Sequence, residues 1–207
     1  MLLINRFEKY LKNCRGAIHV GAHEGEERTW YKKQKFSSVL WFEPNADLFP
    51  RLKQNIKDFP GQIAFNIGIH DSLKKGQLHI ASNDGQSSSL LELGTHSTYY
   101  PDVIYTGDQE VRLIRLDEFF RTTEGLNIDN YNFLNIDVQG TELNVIKSLG
   151  AWIEKMDYVY VEVNEEELYV GCALLKDIDE YLRPYGFFRM SMIMKKAHWG
   201  DAFYKRY

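Results

Sequence analysis

His19-Val20-Gly21-Ala22-His23-Glu24-Gly25-Glu26 sets two glycines four apart behind a short β-rich run. Glycine lets backbone approach a ligand closely and takes dihedrals other residues avoid. The spacing differs from the dinucleotide fingerprint G-x-G-x-x-G, because His23 stands where the second glycine belongs, and Glu24 and Glu26 are poor company for a pyrophosphate. Read alone, the turn fits a cofactor cradle or a plain structural corner. Glu43, about 20 residues further on, ends a second apolar run and is followed by Pro44. An acid at that offset can accept both hydroxyls of a ribose. Asn66-Ile67, after a third apolar run, could meet an adenine edge, since an amide both donates and accepts.

A later block, Asn135-Ile136-Asp137-Val138-Gln139-Gly140-Thr141-Glu142, places polar side chains around another strand-to-helix corner. Glu142 suits a helix N-terminus on electrostatic grounds alone. Asp137 is harder to explain as a cap. Glu162, with Asn164, ends the strongly strand-like run Tyr158 to Val163.

These residues need elements that place them just after strands. Strand-like runs fall at 17–20, 38–42, 63–65, 76–81, 111–116, 131–136 and 158–163, and helix-like stretches at 4–13, 24–33, 45–56, 116–120, 141–149 and 174–182. Two late runs, 187–194 and 202–207, suit a terminal antiparallel hairpin. Alternation of strand and helix predicts an α/β, Rossmann-like domain with a mostly parallel sheet and helices on both faces. In such sheets, ligands bind beyond the C-terminal strand ends. The expected organisation is one domain over 1–207, an N-terminal helix within 1–15 and the core over 16–207.

The 207 residues carry a formal charge of −4. No basic surface is implied, so composition favours neither nucleic acid nor an anionic membrane. No apolar run reaches membrane-span length. Cys14 and Cys172 are isolated, which suits a reducing cytoplasmic setting better than a disulfide framework or a zinc motif, and no metal is expected.

Taken together, Ile18–Gly25, Trp41-Phe42-Glu43-Pro44-Asn45, Gln86-Ser87-Ser88-Ser89-Leu90, Leu134–Glu142 and Val161-Glu162-Val163 resemble the FkbM-type class I methyltransferases. The resemblance runs from about residue 16 to the end of the chain. It implies a seven-stranded methyltransferase sheet, S-adenosylmethionine (SAM) as donor, and O-methylation of a sugar, glycan or small polar metabolite. By motif, Gly21 and Gly25 face the methionine part of SAM, Glu43 the ribose, and Asn66 with Ile67 the adenine. His23, Glu24, Pro44, Ser88 and Asp137 complete the expected cofactor set. The family often has Asp where His19 stands and Asn where His23 stands, so Glu24 or Asp137 would meet the SAM amino group here.

A hydroxyl acceptor must lose its proton, which calls for a base. Asp137 is the first choice, Glu162 the second, and Gln139 is expected to orient the acceptor. Acceptor contacts are expected from 82–89, from Tyr99-Tyr100-Pro101-Asp102 and from His198-Trp199-Gly200-Asp201. The alternatives are an NAD-dependent oxidoreductase, against which the missing fingerprint counts, and a SAM-binding module without catalysis. Oligomeric state is not readable.

Overall fold

The computed structural model describes residues 3–72 and 74–207. In chain order the strands are β1 (Gly16–Val20), β2 (Ser38–Phe42), β3 (Gln62–Phe65), β4 (Gly68–Ile69), β5 (Lys75–Ala81), β6 (Tyr105–Ile114), β7 (Phe133–Ile136), β8 (Tyr158–Asn164), β9 (Phe187–Met194) and β10 (Trp199–Arg206). The α-helices are α1 (Arg28–Lys33), α2 (Phe49–Ile56), α3 (His96–Tyr99), α4 (Leu116–Thr122), α5 (Glu142–Lys147) and α6 (Leu175–Leu182).

The central sheet runs β3-β2-β1-β7-β8-β10-β9. Its first five strands are parallel, and β10 lies antiparallel between β8 and β9. This is the expected class I methyltransferase sheet with its C-terminal hairpin. A second sheet, β4-β6-β5, stands beside it. Its long strand starts at Tyr105, earlier than the sequence suggested, because the mostly exposed, polar Tyr105–Glu110 stretch carries no apolar alternation to read.

Strand alternation divides the core in two. Ile18, Val20, Leu40, Phe42, Leu134, Ile136, Val159, Val161 and Val163 face one side, packed with Phe119 of α4, Val145 and Ile146 of α5, and Ile178 of α6. Ala17, Val39, Trp41, Phe133, Tyr158 and Phe203 face the other, packed with Trp30 and Tyr31 of α1, Leu52 and Ile56 of α2, and the N-terminal segment.

That segment is a 3₁₀ helix over Leu3–Tyr10, shorter than the expected helix and of a different type. Ile4, Phe7 and Tyr10 recur every third residue, the spacing at which a 3₁₀ helix lines up its side chains. α1 also begins four residues later than expected. The φ values of His23 (46°) and Gly25 (73°) are incompatible with helix through residues 24–27.

Candidate functional site

A cavity of about 530 Å³ opens at the C-terminal ends of β1, β2, β7 and β8, within the range of small-molecule sites. Its wall comes from the corners after those strands, the 83–90 loop, β4, α3, Leu168-Tyr169 and the start of β10.

Gly21 lines this cavity, but its glycine identity has another cause. Its φ is +81°, and a Cβ there would fall 1.7 Å from the Asp137 carbonyl oxygen. The ends of β1 and β7 meet backbone to backbone, and the Asp137 N–H donates to Val20 O at 3.0 Å. At Gly25 a Cβ would meet Leu52 of α2 at 2.8 Å, so that residue seats the corner on the helix and lies off the cavity wall. Glu24 is also off the wall, paired with Arg51 Nε at 2.9 Å. Asn66 supports the site from behind, its amide donating to the carbonyls of Glu43 (2.9 Å) and Pro44 (3.1 Å). Ile67 is buried in the core, and the neighbouring Gly68 and Ile69 form the wall. Four of the expected cofactor contacts therefore shape the site without facing it.

Glu43, Pro44, His23, Ser88 and Asp137 do face it. The buried Glu43 carboxylate accepts the His23 N–H on Oε2 and the Asn45 N–H on Oε1, both at 2.8 Å. Burial raises its pKa to about 7 against the pull of these donors. Each oxygen keeps a lone pair for a ligand hydroxyl. Asn45 Oδ1 accepts the Asp47 and Leu48 N–H groups, capping the turn that leads into α2. His23 bridges two loops: Nδ1 meets Glu26 Oε1 at 2.7 Å and Nε2 donates to Asp84 O at 3.0 Å. The Glu26 bond lifts its pKa to about 9, so it is a cation at neutral pH. The Ser88 hydroxyl accepts the Ala81 N–H at 3.1 Å.

Asp137, Gln139 and Glu162 meet as one unit. Gln139 Nε2 donates to Asp137 Oδ1 at 2.6 Å and to Glu162 Oε2 at 2.7 Å. Its Oε1 accepts from the Tyr169 hydroxyl, and its backbone carbonyl accepts from Ser89 Oγ at 2.6 Å. Those bonds hold Gln139 at φ 58°, a left-handed backbone uncommon for a non-glycine residue. With both amide hydrogens engaged, Gln139 aims two carboxyl groups. Asp137 is open to the cavity, yet protein surrounds the opening, and burial raises its pKa to about 6. Burial and then the Asp137 charge push Glu162 well above the usual carboxylate range. Two carboxyl groups, both pushed upward by burial, thus share the one amide of Gln139. Glu142 stays out of this chemistry: Oε1 accepts the Gly140 N–H at 2.9 Å and the Val138 N–H at 3.3 Å, closing the corner before α5.

His19, Asn135 and Tyr160 reach the wall from inside the strands, and Tyr31 of α1 supports them from behind. His19, Tyr31 and Asn135 bond one another, with Tyr31 OH to His19 Nδ1 at 3.1 Å and Asn135 Nδ2 to Tyr31 OH at 2.9 Å. His19 lies over Trp41 (ring centroids 4.7 Å apart), and burial lowers its pKa to about 3, so it is neutral. Tyr160 OH donates to Asp201 Oδ1 at 2.8 Å. Trp199 Nε1 donates to Tyr100 OH at 2.8 Å. Tyr100, Trp199 and Asp201 fall within segments expected to touch the acceptor, whereas Tyr99 and Asp102 lie off the wall. Tyr31, Tyr160 and Glu27 lie outside the expected set. For Tyr160 the sequence carries a signal, a polar residue between two apolar ones in a buried strand, Val159-Tyr160-Val161; Tyr31 in α1 and Glu27 before it carry none.

The wall carries six carboxyl groups, of Glu26, Glu27, Glu43, Asp137, Glu162 and Asp201, and no Lys or Arg among the described residues. Nor, among those residues, does any group of three or more His, Cys, Asp and Glu stand placed to hold a metal ion.

A family model described as the methyltransferase FkbM domain matches residues 19–188. Among curated proteins, the 2-O-methyltransferase NoeI of Sinorhizobium fredii is 24% identical over 172 residues, covering 80% of this chain and 70% of NoeI. The hexuronic acid methyltransferase AglP of Haloferax volcanii is 29% identical over 129 residues, covering 62% of this chain and 48% of AglP. Among solved structures, M. capricolum TrmK, in complex with S-adenosyl-homocysteine, superposes with TM-score 0.56 at 11% identity over 100% of this chain and 68% of its own. The putative tRNA (m1A22) methyltransferase Sp1610 of Streptococcus pneumoniae, in complex with SAM, gives 0.54 at 7% identity over 98% and 71%. At such identity these two structures speak for the fold.

Proposed function

The chain belongs to the FkbM methyltransferase family, and from that premise we propose that it methylates a hydroxyl of a sugar, glycan or small polar metabolite in the cavity at the strand ends. The donor is SAM. The observation that carries the reading is the wall itself, six carboxyl groups without a Lys or Arg among the described residues. SAM brings a sulfonium and an ammonium, which such a wall favours. The pyrophosphate of NAD brings two negative charges, for which the wall, among the described residues, offers only the His23 cation, itself paired with Glu26. The family match and this charge balance set the oxidoreductase alternative aside.

Glu43 would hold the ribose, with its geometry fixed by two backbone N–H groups and its strand-end turn braced by Asn66. His19 and Glu27 stand where the methionine end would lie, on the wall with Gly21. When bound, SAM supplies a methyl group already activated by the positive sulfur. The protein aligns the acceptor, excludes bulk water and takes up the hydroxyl proton. Asp137 is the base, since its ionised carboxylate is held in place by Gln139 and opens into the cavity. Glu162, which burial and the Asp137 charge hold toward its protonated form, is the poorer base.

We read the chain as acting through one domain. Its free cysteines suit a reducing compartment such as the cytoplasm. No helix among the described residues is long and apolar enough to cross a membrane. NoeI and AglP, by name a 2-O-methyltransferase and a hexuronic acid methyltransferase, make glycans the first acceptors to try. Transfer of an isotope-labelled methyl group from SAM to a glycan panel tests the proposal, with calorimetry of SAM against NAD beside it. Binding of NAD in preference to SAM would overturn the donor. SAM binding without transfer to any hydroxyl would leave a binding module.

A further inference from the structure

The acceptor half of the cavity differs from the half that Glu43 serves. Its wall is Tyr100, His96, Tyr169 and Trp199, with Glu162 and Asp201 at the inner end. The aromatic groups are fixed by one another: His96 lies 5.0 Å from Tyr100 and 5.5 Å from Tyr169, and Trp199 is bonded to the Tyr100 hydroxyl. Such faces suit the flat C–H side of a ring substrate.

Two buried polar atoms on this wall have no partner within the protein, Asp201 Oδ2 and His96 Nδ1. His96 is 5% exposed, and its other ring nitrogen contacts Ser87 Oγ at 3.2 Å. Buried polar atoms are nearly always paired, so a bound molecule is the natural source of their missing partners. A ligand hydroxyl both donates and accepts, and satisfies either atom in any tautomer. A ligand carboxylate only accepts. It would leave Asp201 unpaired and set a third negative charge against Asp137 and Asp201. Recognition of a carboxylate ordinarily uses Arg or Lys. None lines the cavity among the described residues. Lys195 stands off the wall, 5.7 Å from the Trp199 ring centre.

From the two unpaired atoms and the cation-free aromatic wall, we infer that the acceptor is an uncharged, hydroxyl-rich sugar and that this site rejects uronic acids, with Asp201 as a specificity-determining residue. The inference rests on the glycan reading above. It separates this chain from the named preference of AglP for a hexuronic acid.

The test compares three probes of one shape: methyl glucoside, the methyl glycoside of glucuronate, and the methyl ester of that glucuronide. Each is titrated by ligand-detected NMR into the protein with S-adenosyl-homocysteine present. The glucoside and the ester should bind alike. The free uronate should bind on the order of tenfold to 100-fold more weakly, the effect of like charges a few ångströms apart in a partly desolvated site. Asp201→Asn keeps the side-chain size and should narrow that gap, while the wild-type series stands by itself if the variant does not fold. Uronate binding equal to or tighter than the glucoside overturns this inference and leaves the glycan reading intact. Binding by none of the three overturns the glycan reading and this inference with it.

Discussion

The two faces of the central sheet come from the same strands, and near the cavity they diverge. On one face Ile18, Val20, Leu134, Ile136, Val161, Val163 and Ala202 continue an unbroken apolar layer under α4, α5 and α6. On the other, the apolar layer of Ala17, Phe133 and Tyr158 gives way toward the C-terminal ends to His19, Asn135, Tyr160, Glu162 and Asp201. Strand period alone sets which residue joins which layer. One layer is thus apolar throughout, and the other is apolar at one end and chemical at the other. Burying five polar side chains is costly unless they are paired. The His19–Tyr31–Asn135 and Tyr160–Asp201 bonds, with that from Gln139 to Glu162, offset that cost.

The largest expected effect tests where the two layers are joined. Gly21→Val should prevent stable folding, because the side chain would overlap the Asp137 carbonyl and the φ of +81° disfavours a β-branched residue. Thermal melting checks this. A variant with a native melting curve and no SAM affinity would make the glycine a cofactor contact instead.

Next comes a matched pair, one residue from each face. Ile146→Ala, fully buried in the apolar layer, should lower stability by roughly 2–5 kcal/mol and leave SAM affinity unchanged in the folded protein. Glu43→Ala should cost about 3 kcal/mol of SAM affinity through loss of two charge-assisted hydrogen bonds. Its effect on stability should be smaller, about 1–3 kcal/mol, from the two N–H groups left unpaired. Calorimetry and denaturant melts on both variants check the contrast. Equal profiles would erase the division between the faces.

The smallest effect concerns the His23 bridge. Its pKa is raised in the fold from 6.5 to about 9, so the stability it contributes is fully present below pH 6.5 and is lost as pH rises through about 9. Melting temperature should fall slightly between pH 7 and 10, and His23→Ala should remove that component of the slope. An unchanged slope in the variant would show that the bridge does not depend on the histidine's charge.

Much of this was legible in the sequence. The alternation of strands and helices and the terminal hairpin follow from the apolar runs, and Glu43, Asp137 and Glu162 stand at the ends of such runs. The glycine corner misled in one respect: Gly25 and Glu24 answer to α2, a packing partner that spacing cannot reveal. Asn66 was placed beside the right residues, but its amide turns to the backbone of Glu43 and Pro44. The role of Gln139 was hidden because its partners, Tyr169 and Ser89, arrive from distant loops. The 3₁₀ character of residues 3–10 was written in the three-residue spacing and read as α.

The most direct test of the account is Asp137→Asn, measured for SAM affinity and for methyl transfer at saturating SAM. Asn keeps the size and the hydrogen bond from Gln139 but cannot take a proton. The account predicts near-normal SAM affinity and a roughly 10²–10⁴-fold loss of turnover. The wild-type rate should fall as pH drops through about 6, where the carboxylate is protonated. A large loss of affinity with near-normal turnover at saturation would contradict it, making Asp137 a cofactor ligand and not the base.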